Sequence, residues 1–175
     1  MKKTIFSGTL FLALILVLGC SVLGGWKKYI SNEGGFAVSM PGAPTSQKII
    51  LPTDFGQTYL YVFLLNRKDD NCAYSVSYVD YPAELFQKKS TDRILEDARL
   101  GAIRNIQGKL VSESPISLKG NPGKEFIIES GNGEIVVKAR VFLVKQRFYE
   151  LMVTTSKQKS TSFDIKKFLD SFRLL

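Results

Sequence analysis

Apolar and polar residues alternate along this chain with two different periods, and one stretch near the start has no period at all. Period-two runs predict strands at 26–30 and 36–40, on either side of the turn Asn32-Glu33-Gly34-Gly35. Pro41-Gly42-Ala43-Pro44 then interrupts pairing, because proline has no N–H to donate and restricts the residue before it. Further strands are predicted at 47–51, 58–65, 72–79, 110–118, 124–130, 134–144 and 147–155. Positions 59–65 are apolar at both parities, which predicts a strand covered on both faces.

Helical spacing appears twice. Over 91–106, Ile94, Leu95, Ala98, Ala102 and Ile106 share one face, with Arg93, Glu96, Asp97 and Arg104 largely off it. Gly101 is expected to let that helix approach the sheet closely, and Gly108 to end it. Over 162–172, Ile165, Phe168, Leu169 and Phe172 form the apolar stripe, and Thr161 to Asp164 has the spacing of a capping pair.

Asn132-Gly133 predicts a type I′ hairpin, since both central residues of that turn need positive φ. Counting outward from it sets Glu125 opposite Arg140 and predicts a cross-strand ion pair, read as structural rather than catalytic.

The aperiodic stretch is of another kind. Lys2 and Lys3 precede a run of about 14 apolar residues, and Val17-Leu18-Gly19-Cys20 closes it. A membrane-spanning helix needs roughly 20, so the run reads as a cleaved export signal. Val17-Leu18-Gly19-Cys20 resembles the lipobox of bacterial lipoproteins, which implies cleavage after residue 19 and acylation, typically with palmitate-class chains, on Cys20. Two or three such chains, at about 0.8 kcal/mol per buried CH₂, make an effectively permanent anchor. The expected organisation is a signal peptide at 1–19, a lipidated N-terminus and tether at 20–25, and one domain at 26–175.

Composition changes the picture in three ways. Loss of Lys2 and Lys3 leaves 22 basic against 16 acidic residues, a net +6, which suits a solvated basic surface and anionic head groups near the anchor. With no concentrated basic helix and no nucleic-acid motif, nucleic acid is not an expected partner. Once Cys20 is acylated, Cys72 has no disulfide partner and reads as a small buried hydrophobe. The chain has no histidine, which excludes a Ser-His or Cys-His pair and a His-ligated zinc.

The remaining candidates for chemistry are thin. Asp69-Asp70-Asn71 offers oxygen ligands but not a calcium loop's spacing, so it reads as a turn. Gly131-Asn132-Gly133 and Gly120-Asn121-Pro122-Gly123 lack a following phosphate-binding helix. Ser75 and Ser77 have no activating base in view. Tyr59, Tyr61, Tyr74, Tyr78 and Tyr81 read as core aromatics, with a groove for an apolar ligand as the alternative.

Trp26, the hairpin ending Phe36-Ala37-Val38-Ser39-Met40-Pro41-Gly42-Ala43-Pro44, the central helix, Gly120-Asn121-Pro122-Gly123-Lys124-Glu125-Phe126 and the closing Phe168-Leu169-Asp170-Ser171-Phe172 together resemble exported domains of the PsbP-like fold. That fold is shared by PsbP and by bacterial lipoproteins of the DcrB and LpqN type. The resemblance spans roughly 26–174 and implies an α+β domain, an antiparallel sheet with helices on both faces. It brings no catalytic residues, no cofactor and no metal ligands.

The function expected from these readings is a membrane-anchored, extracytoplasmic, non-catalytic protein-binding or assembly factor in the cell envelope. With Ser21 after Cys20, it is expected on the outer membrane facing the periplasm in a Gram-negative host. A carrier or sensor of a lipid-like ligand is the alternative. An exposed apolar patch beside the tether favours the first, an enclosed apolar pocket of about 300 Å³ or more the second.

Overall fold

The chain builds two antiparallel sheets because its strands outnumber its helices and most are joined by tight turns. A computed structural model describes residues 25–53 and 56–175. The expected signal peptide and Cys20 lie outside the described residues.

β1 (Lys27–Ser31) and β2 (Phe36–Met40) form the expected hairpin, and the short β10 (Arg173–Leu174) pairs with the other edge of β2. β3 (Thr45–Thr53), β4 (Gly56–Arg67), β5 (Cys72–Asp80), β6 (Lys109–Leu118), β7 (Asn121–Ser130), β8 (Ile135–Val144) and β9 (Arg147–Ser156) make a seven-stranded sheet in the order β3-β4-β5-β9-β8-β7-β6. The helices are α1 (Ala83–Lys88), α2 (Thr91–Asn105) and α3 (Phe163–Asp170).

Strand parity divides the core into two clusters. On β5, β8 and β9, Tyr74, Val76, Tyr78, Phe142, Tyr149, Leu151 and Val153 pack with Ile165, Phe168 and Leu169 of α3 and with Phe36, Val38 and Met40 of β2. The other parity of the same strands, including Val141, Leu143 and Phe148, packs with Ile94, Leu95 and Ala102 of α2. Burying a large apolar side chain contributes about 1.5–3 kcal/mol, so each cluster is a substantial share of the stability.

Polar contacts then fix how the layers sit. Arg99 Nε lies 3.0 Å from Glu113 Oε2 and Lys124 Nζ 3.3 Å from Glu96 Oε2, joining α2 to β6 and β7. Arg147 donates to both Asp80 carboxylate oxygens, at 2.6 and 2.7 Å, and to the Glu33 carbonyl at 2.9 Å. The Tyr149 hydroxyl donates to the Gly34 carbonyl at 2.7 Å, so the β1–β2 turn is pinned to the large sheet.

The Asn132-Gly133 turn forms as the sequence requires. Both residues have positive φ (57° and 88°), the Glu134 N–H donates to the Gly131 carbonyl, and Glu125 stands opposite Arg140. Several details differ. α1 and β10 are not visible in the periodicity, because each is too short to show one. Ser162, not Thr161, caps α3, its side-chain oxygen accepting from the Asp164 N–H. Only Phe63 of β4 is buried, so the two-sided covering expected there is incomplete.

The close approach expected of Gly101 belongs to Gly108. A Cβ at Gly101 would meet nothing within 4 Å, so this residue brings no close approach. The turn after α2 places Gln107 at φ 50°, and the Gly108 N–H returns to the Ile103 carbonyl at 3.0 Å. A Cβ on Gly108 would lie 2.4 Å from Ile128 Cγ2 and 2.9 Å from the Glu129 carbonyl oxygen. Gly101→Ala is therefore expected to stabilise the domain by about 1 kcal/mol, whereas Gly108→Ala lowers stability; urea denaturation of the two variants checks both signs.

Candidate functional site

The predicted Glu125–Arg140 pair forms and has a third member. Arg140 Nε bonds the Glu125 carboxylate, and its Nη1 lies 2.8 Å from Asp170 Oδ1 on α3, which Lys166 also contacts. Burial works against the Arg140 charge, but its two carboxylate partners hold its pKa above the usual arginine value. Two open clefts meet at Arg140 and Leu169. One, about 350 Å³, includes Ile127 and Ile165; the other, about 400 Å³, includes Ile116, Phe142 and Phe172. Their floor is apolar, and Glu125, Arg140, Asp170 and Lys166 are already paired with one another, so the groove suits an apolar side chain better than a small anion.

The five tyrosines separate. Tyr74 and Tyr78 are buried, Tyr61 stacks on Tyr78 at 4.6 Å between centroids, and Tyr81 packs on Phe148 in the other cluster. Lys48 Nζ lies 5.3 Å from the Tyr61 ring centre and 3.9 Å from that of Tyr59, and the Arg147 guanidinium lies 4.7 Å from that of Tyr78. Burial, with Glu33 and Tyr61 adding to it, pushes the Tyr78 phenol up to about 12. None of the four clefts described along the surface is lined by a tyrosine.

Cys72 is buried, with Sγ 2.9 Å from Thr155 Oγ1. Residues Lys68–Asp70 form a single 3-10 turn, ended by Asn71 at φ 49°. Among the described residues, no group of three or more Cys, Asp or Glu side chains is arranged to hold a metal ion.

Glu150 is the group the sequence reading passed over. It lies on the α2-side parity of β9 between Phe148 and Met152, and burial raises its pKa despite an opposing contact with the Ser77 hydroxyl at 3.5 Å. That distance is long for an O–H···O bond, so it does not make Ser77 a nucleophile. The signal was available: a carboxylate stands between the apolar Phe148 and Met152 at the even-numbered positions of β9.

The β3–β4 hairpin exposes apolar side chains on both of its faces. β3 is an edge strand; Ile50 (56% exposed) and its cross-strand neighbour Tyr59 share one face, and Ile49 is exposed on the other. Ile50 and Tyr59 are not beside Trp26, the first residue after Gly25. Trp26 packs on Tyr74, which pairs with Leu65, and from Leu65 to Tyr59 the strand climbs about 20 Å.

Two outcomes follow. Glu125→Ala and Arg140→Ala are expected to be non-additive, with a coupling of about 0.5–1 kcal/mol in a double-mutant cycle by thermal denaturation. Glu150→Gln addresses the raised carboxyl pKa. The fold favours its protonated form, so the native protein loses stability as pH rises through the interval between the ordinary carboxylate value and the raised one. The glutamine variant is therefore expected to melt higher than the native protein at about pH 7, with the advantage gone by about pH 4.

No family profile matches the chain, and no curated protein matches it. Solved structures do. Cyanobacterial PsbP (CyanoP) from Synechocystis sp. PCC 6803 superposes with a TM-score of 0.61 at 11% identity, over 90% of this chain and 96% of that one. A Pseudomonas aeruginosa protein of unknown function, a putative regulator, gives a TM-score of 0.42 at 14% identity, over 82% and 88%. Mostly antiparallel sheets with three helices, superposable on CyanoP over nearly the whole domain, make this an α+β chain with a PsbP-like fold.

Proposed function

We propose that this protein is a lipid-anchored, extracytoplasmic and non-catalytic binding module, of the general kind of the DcrB and LpqN lipoproteins, with helices on both faces of its sheet. Cys20 carries the acyl chains, and the domain recruits or assembles a protein partner in the cell envelope. On the analogy of lipoprotein sorting, Ser21 directs it to the outer membrane in a Gram-negative host.

One observation carries the binding role: among the described residues, no strand pairs with the outer edge of β3. An edge strand offers unpaired backbone N–H and C=O groups, and proteins normally protect such edges with charge, proline or bulges. The other edge is protected in this way, since β6 has Pro115 in mid-strand, a register shift between Leu110 and Ser112, and Glu113. β3 runs through Ile49-Ile50-Leu51 before it reaches Pro52, with Lys48 as its single charged residue. Such an edge suits addition of a partner strand, with apolar side chains selecting the partner.

A carrier of lipid-like ligands has less support. The described clefts are open to solvent, whereas a carried lipid needs enclosure.

Cys20→Ala is expected to move the protein from the membrane to the soluble fraction, and continued retention refutes the anchor. A photo-crosslinking residue at Ile50 in native membranes is expected to capture a discrete protein species that Ile50→Lys loses. Equal capture from Val111, exposed on the β6 edge, argues against β3 as the binding edge.

A further inference from the structure

α3 begins with an apolar residue that its fold does not use. Ile165, Phe168 and Leu169 form the buried stripe of the helix, whereas Phe163, in the first turn, is 75% exposed, more than any other large apolar side chain described. Its helical neighbours one turn on are Lys166 and Lys167, and Lys159 precedes it by four residues. Lys167 Nζ lies 4.3 Å from the centre of the Trp26 ring, so Trp26, Lys167 and Phe163 form one continuous surface. Lys27 and Lys28 follow Trp26 and are exposed. Two carboxylates lie in the α3 part of this surface: Asp164, in the first turn, and Asp170, which Lys166 and Arg140 share.

The chain enters the domain at this same place. Trp26 follows Gly25, and the five residues 21–25 reach less than about 18 Å even fully extended. If Cys20 is held in a bilayer, the surface around Trp26 is confined to roughly that distance from the head groups.

We propose that the face formed by Trp26, Phe163, Lys166 and Lys167, with the exposed Lys27 and Lys28 on opposite sides of β1 at its margin, is the domain's docking surface for an anionic bilayer, with Phe163 entering the head-group region. The proposal rests on the lipid-anchor reading and adds to it an orientation. The chemistry fits in three respects. An exposed phenylalanine gains by leaving water, a half-buried tryptophan favours the interfacial zone, and surrounding lysines are drawn to anionic head groups within a Debye length. Docking in this way turns the β3–β4 hairpin away from the membrane, since Tyr59 stands about 20 Å along β4 from the level of Trp26.

The chain contains one tryptophan, so the orientation can be read by fluorescence. The full acylated chain is reconstituted in phosphatidylcholine vesicles with or without phosphatidylglycerol, the lipids brominated near the head group. A reporter is introduced by Phe163→Trp in a Trp26→Phe background, and a second by Ile50→Trp in the same background. Quenching of the first reporter is expected to exceed that of the second several-fold, to need phosphatidylglycerol, and to weaken at about 1 M salt, where the Debye length falls to about 3 Å. Equal quenching of both reporters, or quenching indifferent to phosphatidylglycerol, overturns the docking face while vesicle flotation still reads the anchor. If the chain does not float, the anchor reading fails instead. Salt-sensitive binding of that unanchored chain to phosphatidylglycerol vesicles, lost on Phe163→Asp, then supports the face, and its absence removes the face as well.

Discussion

Strands β5, β8 and β9 carry apolar side chains at both parities, and both faces of the sheet they form must therefore be withdrawn from water. One cluster closes on α2, the other on α3 together with the small β1–β2–β10 sheet. A single-sided sheet would not need the second sheet. Because it is needed, its placement is fixed by polar contacts such as Arg147 with Asp80 and Glu33, and Ser171, whose Oγ accepts from the Ser39 N–H at 2.8 Å. The position of the chain's entry point at Trp26, and of α3 beside it, follows from that packing.

Much of this was legible in the residues because the elements are long and strongly patterned. The Asn132-Gly133 pair sets the β7–β8 register, and with it the Glu125–Arg140 contact, from local turn chemistry alone. What was hidden depends on contacts distant in sequence. α1 has six residues and no buried side chain, so no apolar stripe announces it. β10 exists only because β2 has a free edge within reach. The role expected of Gly101 belongs to Gly108, and only the position of Ile128 on a neighbouring strand reveals it.

The candidate surfaces were less legible still. An apolar residue in a strand pattern looks the same whether its sheet is covered or not, so Ile49, Ile50 and Tyr59 were indistinguishable from core residues. Their exposure follows from β3 being an edge strand and from β4 extending past its cover. Phe163 fell outside the predicted helical stripe, yet its exposure became meaningful only when Lys167 placed it beside Trp26. Asp170 joined the Glu125–Arg140 pair through tertiary packing, which no strand register can foretell.

The apolar hairpin and the basic, phenylalanine-bearing face lie at different levels of the domain, which gives it a direction once one end is tied down. That direction depends on Cys20. Intact mass spectrometry of the protein extracted from its native membranes tests it most directly. The account predicts a chain that begins at Cys20 and carries the added mass of two or three acyl chains. A chain that begins at Met1, or one that begins elsewhere without acyl mass, contradicts it.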